Sequence, residues 1–372
     1  MKQLGTFWST LREIDVGVVR DEAERSISII VVGHPTAAEA AARLLSYGPD
    51  RYPSGMPSPV VALDIAAIAA HGGALSTADL IVVAIDARAG LREQEAAAFA
   101  QLPALRHPVV VVALFAERLL AGSALPPEIA GRVVFVADSQ SPAAAAAFVA
   151  EVLRRLPSEL HLAAARRLPG LRDSFARDLI ASTSFSNASY ALASGLPEQI
   201  PGINIGIAAA DMLVLTKNQA MLVYRLALAF GAPPDFQARI AELLPVIGGA
   251  FFWRQAARSL IGLIPVWGLL PKVAVAYGGT YTSGVAAWRW YQSGQLVDTG
   301  QLRQIMAESM RIGRERAAEL IDRGRKLGER GGETARRRGG TALDSIRRRL
   351  PGAKAKALPP PPADRSDDPS SK

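Results

Sequence analysis

The 372-residue sequence contains no cysteine, which excludes a disulfide framework, a thiolate zinc site, an iron–sulfur cluster and a cysteine nucleophile. It fits a reducing compartment. Histidine is scarce: His34, His71, His107 and His161 are the only four, and no two lie close enough in the chain for a local metal pair such as HExxH. Neither a metal nor a cofactor is expected. The first 25 residues are charged throughout and have no apolar core, so they do not read as a signal peptide. Aromatic residues are absent from 303–372, so that stretch offers no stacking platform for single-stranded nucleic acid.

What is present is ample for folded cores: 49% of residues are hydrophobic and 20% charged. The length implies two domains plus extensions. The net charge of +8 is concentrated: from Arg311 to Lys356 there are 15 Lys/Arg against 6 Asp/Glu, a local +9, so everything else nets −1. The high isoelectric point therefore belongs to a tail, and it does not make the folded body a nucleic-acid-binding one. Three readings of the tail stay open: a solvated charge run, a segment drawn to anionic lipid, and a nucleic-acid contact.

Residues 1–24 read as an amphipathic helix, with Leu4, Phe7, Trp8, Leu11 and Ile14 at spacings of three and four. From 25 to 158, β-branched runs begin at Ser26, Val60, Ala78, His107 and Arg132, and helical stretches separate them. The helices are expected at 36–48, 91–101, 116–121 and 142–156. Strands with almost no polar alternation, joined through helices, indicate a parallel α/β sheet. Residues 159–296 carry no convincing strand. Helices are expected at 160–167, 171–194, 206–230, 235–262 and 268–293, with Gly and Pro stops between them. Asp211, Asn218 and Arg225 fall on one stripe of the third. An amphipathic helix over 297–327 and a disordered end at 328–372 complete the chain.

The first domain resembles the Era-like and dynamin-like branch of the P-loop GTPases over about 130 residues. The strand SISIIVVG opening a helix, the phrase ADLIVVAIDARAGLREQE, the strand HPVVVVALF and the closing VVFVADSQSPAAAAAFVAEVLRRLP carry the resemblance. The functional motifs are lost. A phosphate loop GxxxxGK[ST] uses glycines to free backbone N–H groups, a Lys against the phosphates and a Ser/Thr on Mg²⁺. Here only Gly33 is kept. Ala38 stands at the second glycine, Glu39 at the Lys and Ala40 at the Ser/Thr. A carboxylate about 4 Å from a phosphate costs about 4 kcal/mol per unit charge at an effective dielectric near 20, where Lys would gain as much. The family's DxxG becomes Asp64-Ile65-Ala66-Ala67, and its NKxD becomes Leu114-Phe115-Ala116-Glu117. The resemblance thus implies a pseudo-GTPase without nucleotide chemistry or catalytic residues. Its degenerate pocket positions are Gly33, Glu39, Ala40, Asp64 and Glu117. The alternative is an unrelated α/β fold with no lost site. Two further features have plainer readings. Ser141 in Asp138-Ser139-Gln140-Ser141 reads as the cap of the next helix, and His34 as a loop histidine.

The second domain resembles the YcjF-type domain of unknown function, which in bacteria often follows an Era-like GTPase domain. The segments running from Gly202 to Gly231 and from Ser259 to Gly294 carry this, including Ile264-Pro265-Val266-Trp267-Gly268 and Trp290-Tyr291-Gln292-Ser293-Gly294. Some members of that family are membrane proteins. The longest apolar run, 259–277, is interrupted by Pro265, Pro271 and Lys272, which leaves insertion near neutral. Ala274, Gly278, Thr282 and Ala286 form a small-residue stripe, and Trp288, Arg289, Trp290 and Tyr291 resemble an interfacial belt. Spanning, peripheral association and a fully soluble bundle all stay open.

The expectation is a non-catalytic, cytoplasmic and membrane-associated scaffold or regulator. It would meet an anionic surface through the residues from Arg311 to Lys356 and from Ser259 to Tyr291. The alternatives are a nucleotide-binding switch with an unconventional pocket and a nucleic-acid-associated protein working through the tail.

Overall fold

The structure, a computed structural model, describes residues 15–47, 58–65, 75–89, 96–97, 107–118, 133–195, 204–239, 269–295, 297–298, 300–319 and 321–322. Met1–Leu320 form one compact unit and Ile321–Lys372 another. The expected stripe at 4–14, most of helix 91–101 (its described residues, 96–97, are helical), most of helix 235–262 and the basic residues beyond 322 lie outside the described residues.

Five strands form one parallel sheet: β1 (Ile29–Gly33), β2 (Val60–Asp64), β3 (Leu80–Asp86), β4 (Val109–Leu114) and β5 (Val133–Val136), in the order β2-β1-β3-β4-β5. The lack of polar alternation has a direct cause, because both faces are covered. Ile29, Val31, Leu80, Val82, Val110 and Val112 enter one core, while Ile30, Val32, Ile81, Val83 and Val111 enter the other. The edge strands β2 and β5 are the partly exposed ones.

Helix α1 (Gly17–Glu24) precedes the sheet, α2 (Pro35–Ser46) follows β1, and α3 (Pro142–Arg155) follows β5. The sequence places Ser141 at the cap of α3, and it is there: its hydroxyl accepts from Ala144 N at 3.4 Å, with Pro142 in the first turn. The weak helix expected at 116–121 is a bend over its described residues, 116–118. After a 3₁₀ turn at Ser158–Leu160 come α4 (His161–Arg167), α5 (Arg172–Gly195), α6 (Asn204–Ala229) and α7 (Leu269–Ser293). A last helix, α8, spans 300–319. No strand occurs in 159–319 among the described residues. α6 stops at Gly231, whose φ of 86° places it in the left-handed region. Gly231 N bonds Leu228 O and Ala232 N bonds Ala227 O, a Schellman end.

The helical part does not stand apart from the sheet. One core runs from the strands through α2, α3 and α4 into α5, α6 and α7. Three arginines fasten the junction by capping helix ends. Arg166 donates to Leu228 O and Ala232 O at 2.9 and 3.0 Å, and Arg167 donates to Glu24 O at 3.0 Å. The buried Arg172 donates to Ala165 O at 3.2 Å and Arg166 O at 3.1 Å. Each cation meets the negative end of a helix dipole.

Candidate functional site

In a doubly wound sheet, ligands bind outside the carboxyl ends of the strands, where the strand order reverses. Here that point lies between β1 and β3. It also holds the counterpart of the phosphate loop. β1 ends at Gly33, and α2 begins at Pro35, so His34 alone separates strand from helix. Ala37 N and Ala38 N both donate to His34 O at 2.9 Å. Two N–H groups that a phosphate loop would leave free are therefore spent inside the helix, and Pro35 has none. Gly33 has a packing reason to be glycine. A Cβ there would lie 2.1 Å from Ala84 O of β3.

The other pocket positions disperse. Glu39 is exposed on α2, while Ala40 is buried in the core beneath it. Asp64 closes β2, exposed, level with Gly33 across the strand pair. Leu114, at the position of the family's guanine-reading Asn, is fully buried, and Glu117 is exposed in the turn beyond. Asp138 folds its own loop, its carboxylate accepting from Gln140 N at 2.8 Å. Among the described residues, no three His, Asp or Glu side chains gather as a metal site.

One constellation at this edge goes unassigned in the sequence reading. Asp86 closes β3, and Arg88 grips it twice: Nε donates to Oδ1 at 3.1 Å and Nη2 to Oδ2 at 2.8 Å. The guanidinium also lies 4.3 Å from the centroid of the Phe115 ring, and Phe115 itself has φ of 71°, a left-handed conformation that costs a non-glycine residue energy. The Arg88 hydrogen bond holds the Asp86 carboxyl below its ordinary value. The only available signal was the phrase Asp86-Ala87-Arg88 at a strand end. An ion pair and an aromatic ring thus occupy the edge beside β3.

In the helical part, Asn218 and Arg225 of the predicted stripe both find partners. Asn218 donates to Asn187 Oδ1 at 2.7 Å, and Asn187 donates to Thr280 Oγ1 at 2.8 Å, so a polar chain crosses α6, α5 and α7. Arg225 makes a two-point pair with Glu22 of α1 at 2.8 and 3.1 Å. The Asp211 side chain lies outside the described residues. Between α5 and α6, Ser182, Thr183, Ser186 and Asn218 rim an open groove of about 390 Å³ floored by Leu179, Met221 and Leu222.

The aromatic belt is corrected by its packing. Trp288 donates to Asp173 Oδ1 at 3.1 Å and lies under the Arg177 guanidinium. Tyr291 is fully buried and stacks on Phe230 at 6.5 Å between centroids, and Trp290 packs against the core. Only Arg289 of the four is exposed. Part of the run 259–277 is undescribed, but among the described residues no helix is long and apolar enough to cross a membrane. Of the expected apolar side of α8, Leu302, Ile305 and Ala317 are buried, and Met306, Met310 and Ile321 are half-buried.

Comparison with protein-family models, with curated proteins and with solved structures finds no match to this chain.

Proposed function

We propose that this chain is a non-catalytic pseudo-GTPase-type protein, a scaffold or regulator that works by binding partners at the cytoplasmic face of a membrane. The observation that carries the first half is the one-residue turn at His34. A phosphate cradle needs several free N–H groups between strand and helix. Here α2 starts at Pro35, uses Ala37 N and Ala38 N internally, and presents Glu39 at the Lys position. The Asp86–Arg88 pair beside it already ties two of the guanidinium N–H groups to a carboxylate.

Charge supports the second half. Residues 323–356 carry 12 Lys/Arg against 3 Asp/Glu. Each cation near an anionic leaflet contributes about 1 kcal/mol. The test of the nucleotide reading is calorimetry of the full chain with GTP or ATP and Mg²⁺. No binding is expected, with or without Glu39→Lys, because Ala38 and Ala40 remain. A dissociation constant below about 10 μM, or about −7 kcal/mol, would overturn it.

A further inference from the structure

Helix α5 has an exposed face without charge. From Leu179 to Gly195, about four turns, none of its residues is Asp, Glu, Lys or Arg. The exposed positions there are Ala181, Ser182, Phe185, Ser186 and Ala193. Solvent faces of helices ordinarily carry charged and polar side chains. The centre of a protein–protein contact is where charge is depleted and an aromatic anchor stands out. Phe185 is such a side chain, 42% exposed. The Ser182 hydroxyl turns back onto Leu179 O at 3.1 Å, so covering it strands no donor.

The groove between α5 and α6 fits that anchor. Its volume of about 390 Å³ exceeds the roughly 150 Å³ that holds a benzene ring. At about 100° per residue, Ser182 divides the α5 face. Asp178 and Phe185 lie about 40–60° to one side, and Ser186, Leu179 and Thr183 about 40–100° to the other, toward the groove. Heights match as well. Thr280 of α7 meets Asn187 and Gln219, whereas Trp288 and Tyr291, further along α7, meet Asp173 and Phe230. α5 and α6 therefore run antiparallel. Counted from the Asn187–Asn218 bond, Phe185 is level with Met221 to within one residue, and Asp178 with Arg225 to within two, about 3 Å.

A contact between copies about a two-fold axis must be complementary to itself. An axis parallel to α5, running over Ser182, exchanges the two flanks and keeps every height. It carries Phe185 of each copy to the other's groove at the level of Met221. It also brings Asp178 level with Arg225 of the other copy. Asp178 is exposed and makes no hydrogen bond or ion pair among the described residues. Arg225, which holds Glu22 through Nη1 and Nη2, is the cation at that end of the groove. An axis perpendicular to α5 would instead set the Phe185 flank against itself.

We propose that this face of α5 and its groove form a contact between two copies of the chain, parallel about a two-fold axis, with Phe185 as the anchor. The contact depends on neither the nucleotide nor the membrane reading. Two helices wide and about four turns long, it covers roughly 400 Å² per copy, about half a standard interface, so the dimer is weak, with a dissociation constant of roughly 10–100 μM.

Sedimentation velocity of the full chain over about 1–300 μM should show a monomer–dimer equilibrium in that range. A chain that stays monomeric throughout overturns the proposal. Phe185→Ala should weaken the dimer at least about tenfold, and Asp178→Arg by about threefold or more. Both side chains are exposed, so the urea midpoint of each dilute variant should match the parent. Unchanged association of Phe185→Ala puts any dimer contact elsewhere and overturns the proposal. Unchanged association of Asp178→Arg contradicts the parallel axis. With no native cysteine, Ser182→Cys sets a thiol beside its own image, and oxidation should give a covalent dimer, whereas Glu39→Cys should not. No covalent dimer at 182, or equal yields at both positions, contradicts the contact.

Discussion

Gly33→Ala separates a packing role for this glycine from a phosphate-binding one. β1 lies inside the sheet, with Gly33 level with Asp64 on one side and Ala84 on the other. The added methyl would sit 2.1 Å from Ala84 O and 3.0 Å from Ala84 C, against an ordinary contact of 3.4–4 Å. The obstacle is backbone and cannot rotate away, so β1 and β3 must part by about an ångström in a region where Val32, Val83 and Ala84 are at most 1% exposed. Overpacking of well-filled cores costs about 1–3 kcal/mol. A rigid neighbour puts this site at the upper end, about 3 kcal/mol, or roughly a hundredfold in the unfolding equilibrium. Urea denaturation of the full chain reads it as a lower midpoint at unchanged slope. The exposed Glu39→Lys serves as control and should stay within about 0.5 kcal/mol of the parent. A loss below about 0.5 kcal/mol for Gly33→Ala would refute the close approach of the strands.

Asn187→Leu removes the centre of the polar chain, takes the acceptor from Asn218 and leaves the buried Thr280 hydroxyl only the longer donor Gln219 Nε2 at 3.4 Å, so a loss of about 2 kcal/mol is expected by urea denaturation. The double variant with Thr280→Val should cost less than the two singles added, and strict additivity would contradict the contact. For Asp86, Arg88 depresses the folded-state value, so the pair stabilises above the unfolded carboxylate value near 4 and loses that contribution as pH falls through the folded value. Asp86→Asn should flatten the acid limb of stability below about pH 4, and an unaltered limb contradicts the pairing. Deleting residues 323–372 should abolish flotation with anionic vesicles. Binding of the intact chain should fall steeply as the Debye length shrinks from about 30 Å at 0.01 M salt to about 8 Å at 0.15 M. A duplex-DNA shift without vesicle binding would favour the nucleic-acid alternative instead.

The sheet was legible because burial on both faces leaves a compositional mark: runs such as Val109–Leu114 have no polar positions to alternate. The Ser141 cap and the Gly231 stop were legible because each depends on a local bond or dihedral. The turn at His34 was harder to see. Aligning residues 33–40 with a phosphate loop assigns loop positions by the retained glycine. The proline at 35, a preferred first-turn residue, instead starts the helix at once. The Asp86–Arg88–Phe115 cluster joins two strand ends 27 residues apart in number, and no short-range pattern announces such a meeting.

The small-residue and aromatic signals of the helical part do not distinguish lipid from protein, for one shared reason. Close helix packing selects small residues whether lipid or protein lies outside, so the stripe at 274, 278, 282 and 286 carries no information on the surroundings. In the structure, Ala274 and Gly278 face α8, Thr282 bonds Gly278 O, and Ala286 enters the main core. Tryptophan and tyrosine near a helix end satisfy an N–H and bury a ring equally well against Asp173 and Phe230. Even on α8 the cations are matched, with three arginines in 311–322 against three acidic residues. If the proposed attraction to an anionic surface works through the net charge of 323–356, salt is the perturbation that should control it.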